Sequence, residues 1–426
     1  MSTAQIQGIP YVPGCAQGKL KKHIGSVTEQ DILLLDSDGL ASLTTHKPAG
    51  CIVVDGAPYS HNMIQQLGLG VPLVIISAQQ AECLAEDSYL EINGSSGKIN
   101  TTRPSKAMEC KIPVIPSSGK AITSADGVKI YLNASISNTA AASRARDNGA
   151  AAIGLVRSEF IQPAHAQIPS SDFYQQAFTA MCEAANPLTI TIRLLDLAPD
   201  KQPLWLPPLP YPPSPSGMQG VRLYQYKPIQ QIVRAQLTAM DALTGRFDIR
   251  LLIPYVSLSG EFLYWRDIIR SLITAPVAVG AMLEIPAAVL EIDNWLTRAD
   301  FVSIGCNDLM QNLFAADRDL AQLKPYLNPY SPALLRFLQQ TALRAGKGID
   351  KIQLCGLLAQ WPGILPLLAG MGYSSYSVEP LKIPYLAQTI RVSEVTQMQP
   401  VMEQVCNASN ARQVCEILKV PVWPEE

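Results

Sequence analysis

Met282-Leu-Glu-Ile-Pro286, followed at Phe301 by Phe-Val-Ser-Ile-Gly-Cys-Asn307-Asp308-Leu309, comprises two short apolar runs that each end in acidic side chains. A parallel barrel displays side chains in this way, because the carboxyl ends of its strands converge on one face. On that reading Glu284 and Asp308 are candidate oxygen ligands for a hard cation such as Mg²⁺, with Asn307 beside them and Arg318 further on. Taken alone, two such acids are more often helix caps or ion-pair partners, so the choice rests on the rest of the chain.

Outward from that stretch the pattern alternates. Strand-like runs at 128–134, 151–157, 188–195, 249–256, 277–285, 301–305, 352–357 and 373–378 are separated by helical stretches at 137–148, 173–185, 228–244, 261–273, 286–298, 332–345 and 363–370. Strands joined by helical crossovers predict a (β/α)8 TIM barrel over residues 126–426, with a doubly wound sheet as the weaker alternative. The proline-rich insert 203–215 is expected to shape a loop at the barrel mouth.

The polar residues at these strand ends are Arg157, Arg193, Asp196, Glu284, Asn307, Asp308 and Cys355, with Arg222 in the insert. Several arginines facing carboxylates and a cation suit a phosphorylated carboxylic acid. Guanidinium binds phosphate and carboxylate bidentately, while the metal bridges substrate oxygens.

Residues 1–105 read as a smaller, strand-rich domain, with strands at 32–35, 51–55, 71–76 and 89–93 and a turn at Asn93-Gly94. Between the second and third of these lies Gly56-Ala-Pro-Tyr-Ser60-His61-Asn-Met-Ile-Gln-Gln-Leu-Gly68. Ser60 is an expected N-cap, which puts His61 in the first turn of a short helix, where an incoming phosphate is favoured. An ordinary surface histidine is the alternative. Residues 106–125, with Pro113 and Pro116, read as a linker that would let the first domain move.

The chain has 426 residues, 48% of them hydrophobic and only 16% charged, which points to a globular chain with a large core. No apolar run reaches the roughly eighteen residues needed to span a bilayer, and Met1-Ser-Thr-Ala-Gln-Ile lacks a signal pattern. The net charge of −2, without a Lys/Arg block, argues against nucleic acid or an anionic membrane as partner. Nine scattered cysteines without a Cys-x-x-Cys pair suit a reducing compartment rather than a zinc site or a disulfide framework. A cytoplasmic protein is expected.

Six ordered motifs carry a specific resemblance. They are Gly149-Ala-Ala-Ala-Ile-Gly-Leu-Val-Arg157-Ser-Glu-Phe160, Ile192-Arg193-Leu-Leu-Asp196-Leu-Ala-Pro-Asp200-Lys201, Gly217-Met-Gln-Gly-Val-Arg222, Leu283-Glu284-Ile-Pro-Ala287, Ser303-Ile-Gly-Cys-Asn307-Asp308-Leu, and Asp317-Arg318 with Cys355-Gly356. With the Tyr59-Ser60-His61 loop, the chain resembles the phosphoenolpyruvate-utilising enzymes: Enzyme I of the sugar phosphotransferase system, phosphoenolpyruvate synthase and pyruvate phosphate dikinase. The resemblance runs from about residue 50 to the C-terminus, and the helical tail at 403–420 is most similar to Enzyme I.

The resemblance implies a barrel that binds phosphoenolpyruvate with Mg²⁺ on Glu284 and Asp308. Arg157, Arg193, Arg222 and Arg318, with Asn307, would hold the phosphate and carboxylate. The phosphoryl group would pass to His61, and Cys355 would protonate the enolate to give pyruvate. It further implies a mobile phosphohistidine domain at 1–105 and a homodimer formed through the barrel. Tyr59 stands where the family usually has Thr, and Leu67, Gln219, Ala198-Pro199 and Leu357 replace an Arg, an Arg, a Gly-Gly pair and a Glu. The first fifty residues are too few for a carrier-docking helical domain or an ATP-grasp domain, so a separate phosphoryl donor or acceptor protein is expected. Two other readings stay open: a non-catalytic phosphoenolpyruvate-sensing module, and a lyase or mutase on a similar barrel that does not use His61.

Overall fold

The computed structural model describes residues 5–36, 39–40, 43, 47–102, 113, 119–163, 167–197, 203, 205–208 and 217–423. Two compact units are present: Met1–Val114 with Asp317–Leu327 and Trp423–Glu426, and Ile115–Ala316 with Asn328–Val422. Most of the expected linker and of the proline-rich insert lies outside the described residues.

The first unit is a mixed sheet. Its strands are β1 (Gln5–Gln7), β2 (Ile9–Val12), β3 (Cys15–Lys21), β4 (Ile32–Leu35), β5 (Gly50–Val54), β6 (Leu73–Ile76), β7 (Tyr89–Asn93) and β8 (Lys98–Thr101), in the order β1-β8-β7-β3-β4-β5-β6-β2. β3 to β6 pair in parallel, and the flanking pairs are antiparallel. One face buries Leu20, Ile32, Ile52, Val74, Leu90 and Ile92. Helix α1 (His61–Leu69) connects β5 to β6, and α2 (Ala78–Glu82) follows β6. The expected turn after Asn93 is a four-residue loop in which the Asn93 Oδ1 accepts from the Ser95 and Ser96 amides, both at 3.0 Å. It closes at Gly97 with φ +75°, where a Cβ would stand 2.2 Å from the Gly8 carbonyl oxygen.

The second unit is a closed barrel. A two-residue strand, β9 (Ile122–Thr123), precedes β10 (Lys129–Ile136), β11 (Ile153–Arg157), β12 (Ile190–Arg193), β13 (Ile249–Ile253), β14 (Ala278–Leu283), β15 (Val302–Gly305), β16 (Ile352–Cys355) and β17 (Ser375–Val378). From β10 onwards each strand pairs in parallel with the next, and β17 returns to β10 with Tyr131 opposite Ser375 and Ala134 opposite Val378. The second unit is therefore the expected (β/α)8 barrel, and the first is the smaller strand-rich unit.

The helices are α3 (Thr139–Asp147), α4 (Ser171–Ala185), α5 (Lys227–Thr244), α6 (Ser259–Leu272), α7 (Pro286–Leu290), α8 (Ile292–Arg298), α9 (Cys306–Phe314), α10 (Pro332–Ala345), α11 (Ile364–Gly370), α12 (Ile383–Arg391), α13 (Met398–Asn407) and α14 (Ala411–Leu418). In α5 the residues Ile229, Ile232, Val233, Leu237 and Met240 recur at helical spacing and are buried, and Pro228 sits in the first turn where its missing N–H costs nothing. The 286–298 stretch, expected as one helix, breaks at Glu291. The barrel interior is partly polar: Asn133 Nδ2 donates to Gln353 Oε1 at 2.8 Å, and Gln353 Nε2 donates to the Gly154 carbonyl at 3.1 Å.

No helix among the described residues is long and apolar enough to cross a membrane. Cys15 is disulfide-bonded, although the cysteine pattern suited a reducing compartment, while the other seven described cysteines are free.

Candidate active site

Arg193 ends β12 and is buried among acids. Its Nη2 pairs with Glu159 Oε1, its Nη1 lies 2.7 Å from Asp196 Oδ2, and the same Nη1 is 3.6 Å from Glu284 Oε1. Burial works against the charged guanidinium, but Asp196, Glu159 and Glu284 outweigh it and raise its pKa well above the ordinary value. Arg193 Nε and Glu159 Oε2 are buried atoms with no hydrogen-bond partner among the described residues. Unspent polar atoms of this kind suit a polar ligand or water.

Glu284 follows β14 and is 1% exposed. Its Oε2 accepts from the Tyr255 N–H at 3.1 Å, and its carbonyl accepts from Asn312 Nδ2 at 2.9 Å. Two local features make that possible. Tyr255 holds φ +52°, a conformation rare for a bulky residue, which directs its N–H at the carboxylate. Gly305 leaves the space, since a Cβ there would stand 2.6 Å from both Cγ and Oε1 of Glu284.

Sequence reading expected Asn307 and Asp308 just after a strand ending at Gly305. β15 does end at Gly305, and helix α9, which was not expected, starts at Cys306 and places both residues in its first turn. Asp308 is partly exposed and shares its electrostatic targets with Glu284, since both carboxylates act on Arg193 and on the Tyr255 hydroxyl. Asn307 spends its Oδ1 on the Leu357 N–H at 3.0 Å, which ties down the loop after β16.

The other arginines differ in their partners. Arg157, at the end of β11, donates to Glu379 Oε1 at 3.0 Å. Burial pushes the Glu379 carboxyl up, and Arg157 offsets only part of that. Arg222 donates to the Gly217 carbonyl at 2.8 Å and to Ser257 Oγ at 3.1 Å, and its guanidinium lies 5.3 Å from the Tyr255 ring centre. None of these partners is anionic.

Cys355 ends β16 among Leu155, Leu252 and Met282. Its thiol accepts from Ser303 Oγ at 3.4 Å and donates to the Ile304 carbonyl at 3.4 Å. Burial pushes its pKa up to about 12, so the thiol keeps its proton at neutral pH. That suits a proton donor and not a nucleophile.

His61 opens α1 in the first unit, behind Ser60, whose Oγ accepts from the Met63 N–H at 3.3 Å. Arg318, expected with the barrel arginines, belongs to the same unit as His61. Its Nη2 lies 3.0 Å from His61 Nε2 and 3.3 Å from Nδ1. Asp319 accepts the His61 backbone N–H at 3.0 Å through Oδ1, and its Oδ2 lies 3.6 Å from His61 Nδ1. Leu67, in the place of the family's arginine, is buried in α1.

Sequence reading missed Glu159, Tyr255, Ser303, Glu379 and Asp319. Glu379 directly follows a strand, so the strand-end rule that found Glu284 would have found it too. Tyr255 and Asp319 act through backbone geometry and long-range pairing, which leave no local signal.

With this geometry in place, the family described as "PEP-utilising enzyme, PEP-binding domain" matches residues 117–395. The chain belongs to this family. Among curated relatives, a multiphosphoryl transfer protein of Xanthomonas campestris is 30% identical over 91% of this chain and 48% of its own length. A phosphoenolpyruvate-protein phosphotransferase of Streptomyces coelicolor is 31% identical, covering 80% of this chain and 62% of its own length. One from Listeria monocytogenes is 24% identical, covering 92% and 73%. The chain thus spans about half of the first relative and under two thirds of the second.

Glu284 and Asp308 fit the family's expected Mg²⁺ in chemical type. The ion takes one or two carboxylates and fills its remaining positions with substrate oxygens and water. No cluster of three or more ligating side chains occurs among the described residues.

Proposed function

We propose that the protein is a Mg²⁺-dependent phosphotransferase that moves a phosphoryl group between phosphoenolpyruvate and His61, giving pyruvate, and then to or from a separate partner protein. The observation that carries this reading is the convergence at Tyr255. Its ring meets the Arg222 guanidinium, its N–H holds Glu284, and its hydroxyl senses Asp308. A carboxylate pair suited to a cation and an arginine with no anionic partner among the described residues thus both meet Tyr255, an arrangement that suits a phosphate ester with a metal.

In this reading Glu284 and Asp308 would hold Mg²⁺, which supplies charge neutralisation at the phosphoryl oxygens. Arg222 and Arg157 bind the phosphate and carboxylate. Arg193 orients Glu284, and Asn307 fixes the loop that follows Cys355. The thiol of Cys355 gives its proton to the methylene carbon of the enolate and recovers one from solvent. Arg318 steadies the phosphoryl group as it arrives at His61. Residues 1–105 act as a mobile phosphohistidine domain, joined by a linker at 106–125 to the barrel at 126–426. The setting is the cytoplasm. Self-association through the barrel helices completes the reading, supported by exposed Leu258, Tyr264 and Leu290.

Incubation with phosphoenolpyruvate labelled on phosphorus, in the presence of Mg²⁺, tests it. Acid-labile label is expected on the wild type and not on His61→Ala. Label that persists in His61→Ala, or never forms, refutes the reading.

A second reading, a phosphoenolpyruvate sensor without transfer, is favoured by one observation. Leu67 is built into the buried side of α1, where the family carries an arginine. Calorimetry that finds saturable phosphoenolpyruvate binding without pyruvate release would select it.

A further inference from the structure

We propose that Glu379 is a positioning residue for Arg157 that also balances charge in the barrel mouth: it holds the guanidinium in the free protein and takes up a proton when an anionic group of the substrate arrives there. The proposal rests on the phosphotransferase reading for the identity of that substrate. The coupling itself is argued from the ion pair.

Glu379 directly follows β17 and Arg157 ends β11, and their side chains are only 5% and 13% exposed. Arg157 Nη1 donates to Glu379 Oε1 at 3.0 Å, the one hydrogen bond of this guanidinium among the described residues. A guanidinium has five N–H donors, so a single carboxylate oxygen fixes its pose and leaves most of its donors to a ligand. The neighbouring arginines differ: Arg193 is enclosed by three acids, and Arg222 bonds only neutral groups among the described residues.

Glu379 is poised between two charge states. Burial favours its neutral form and raises its pKa, Arg157 offsets part of that, and Arg144 on α3 adds a smaller offset. Of the other elements packed against this stretch, β10 carries Lys129 and Tyr131, β16 carries Cys355, and α12 carries Tyr385 and Arg391. None of these acts on the carboxyl, nor do Arg146 and Asp147 on α3 or Lys382 in the turn that follows Glu379. The anion therefore depends on two arginines, and chiefly on Arg157.

A phosphate or carboxylate that binds Arg157 brings like charge beside Glu379 and draws on the same guanidinium. Both effects disfavour the carboxylate anion, and a proton taken from solvent relieves them. The ligand gains the free N–H groups of Arg157, Glu379 gains one proton, and the negative charge added to the site falls by one. Because Glu379 holds more proton when the ligand is bound, affinity falls as the pH rises between its free-state and bound-state pKa values. The fall is at most about tenfold per pH unit, and affinity is flat on either side of that window. An ion pair with a purely structural role would show no such linkage.

Full-length protein carrying His61→Ala can neither accept the phosphoryl group nor titrate at that residue, so it isolates binding. It is titrated calorimetrically with phosphoenolpyruvate and Mg²⁺ between about pH 6 and 9, in buffers of different ionisation enthalpy, which count the protons taken up per ligand. Glu379→Gln on the same background should lower that uptake by up to about one proton and flatten the fall of affinity with pH. Glu379→Asp should keep part of both. The phosphate of the ligand titrates in all three proteins, so the difference between them belongs to residue 379. Should Glu379→Gln fail to fold, infrared difference spectra of the His61→Ala protein with and without ligand carry the test. A protonated-carboxyl band that shifts on carbon-13 labelling of glutamate must then appear on binding.

Saturable binding with equal proton uptake in the parent and Glu379→Gln, or no such band, overturns the proposal and leaves the substrate assignment intact. Failure of phosphoenolpyruvate to bind at every pH refutes the substrate assignment and the proposal together. Proton-coupled binding without label on His61 in the wild type refutes the transfer reading and leaves the role of Glu379 standing.

Discussion

Replacing Gly305 by alanine isolates the placement of the Glu284 carboxylate. A Cβ at this position would stand 2.6 Å from Cγ and Oε1 of Glu284, whereas ordinary contact begins at 3.4 Å, so something must yield by about 0.8 Å. The backbone adds no cost, because φ −82° and ψ +87° at Gly305 are open to alanine. Glu284 has little room to retreat, being 1% exposed and held by the Tyr255 N–H at 3.1 Å. Overpacking costs about 1–3 kcal/mol, and an orphaned Tyr255 N–H adds about 1–3 kcal/mol, so a loss of about 2–6 kcal/mol is expected. A carboxylate moved by nearly 1 Å should also lower pyruvate formation about 100-fold. Thermal unfolding measures the first effect and coupled pyruvate detection the second. Gly260→Ala is the control, because nothing lies within 4 Å of its Cβ, and it should be neutral or slightly stabilising. A Gly305→Ala protein that melts and turns over like the wild type would show that the carboxylate is not confined as argued.

Two further substitutions follow from the buried charges. Arg193→Met strands Glu159, Asp196 and Glu284 without their shared counter-charge and should cost about 3–5 kcal/mol in denaturant unfolding. Acidification, which neutralises the stranded carboxylates, should narrow that deficit; a deficit that widens at low pH would count against the cage. At Cys355 the folded pKa is pushed up to about 12 from an ordinary 9.0. The stability contributed by the neutral thiol is therefore fully present below 9.0 and is lost as the pH rises towards 12, at about 1.4 kcal/mol per pH unit. Cys355→Ala should remove that part of the alkaline slope, and an unchanged slope in unfolding curves would refute the burial argument.

The barrel was legible because strands such as β14 and β15 are largely buried and read as apolar runs, while helices such as α5 keep an uninterrupted helical stripe. The end of β15 at Gly305 was found, but helix α9 was not: Cys306 and Leu309 continue the apolar run, so nothing local marks a helix starting at Cys306. β2 and β3 were missed for the opposite reason. Pro10, Ala16 and Gly18 dilute their apolar signal, and Gly18 is there because a Cβ would stand 2.2 Å from the Gln30 carbonyl oxygen. The strand-end residues Arg157, Arg193, Glu284 and Cys355 were found where they lie. The pairing of Arg318 and Asp319 with His61 could not be, since periodicity carries no information about which distant segment joins which unit.

The charges at the barrel mouth lead to a requirement independent of family membership. Among the described residues, Arg157, Arg193 and Arg222, with Arg144 acting on Glu379, are accompanied by the carboxyl groups of Glu159, Asp196, Glu284, Asp308 and Glu379, so four guanidinium groups face five acids. Even if burial keeps a proton on Glu379, cations do not outnumber carboxylates. A substrate carrying a phosphate and a carboxylate would enter a site with no surplus positive charge, and Coulomb repulsion in a partly buried site is expensive. A divalent cation held by Glu284 and Asp308 would supply two positive charges. Metal and substrate should therefore bind with strong mutual dependence: each weakly alone, both tightly together. Isothermal titration of phosphoenolpyruvate into protein stripped with chelator should give little heat, and addition of Mg²⁺ should restore saturable binding with at least about tenfold higher affinity. Equal affinity with and without the metal would mean that the arginines suffice and that the two carboxylates are structural.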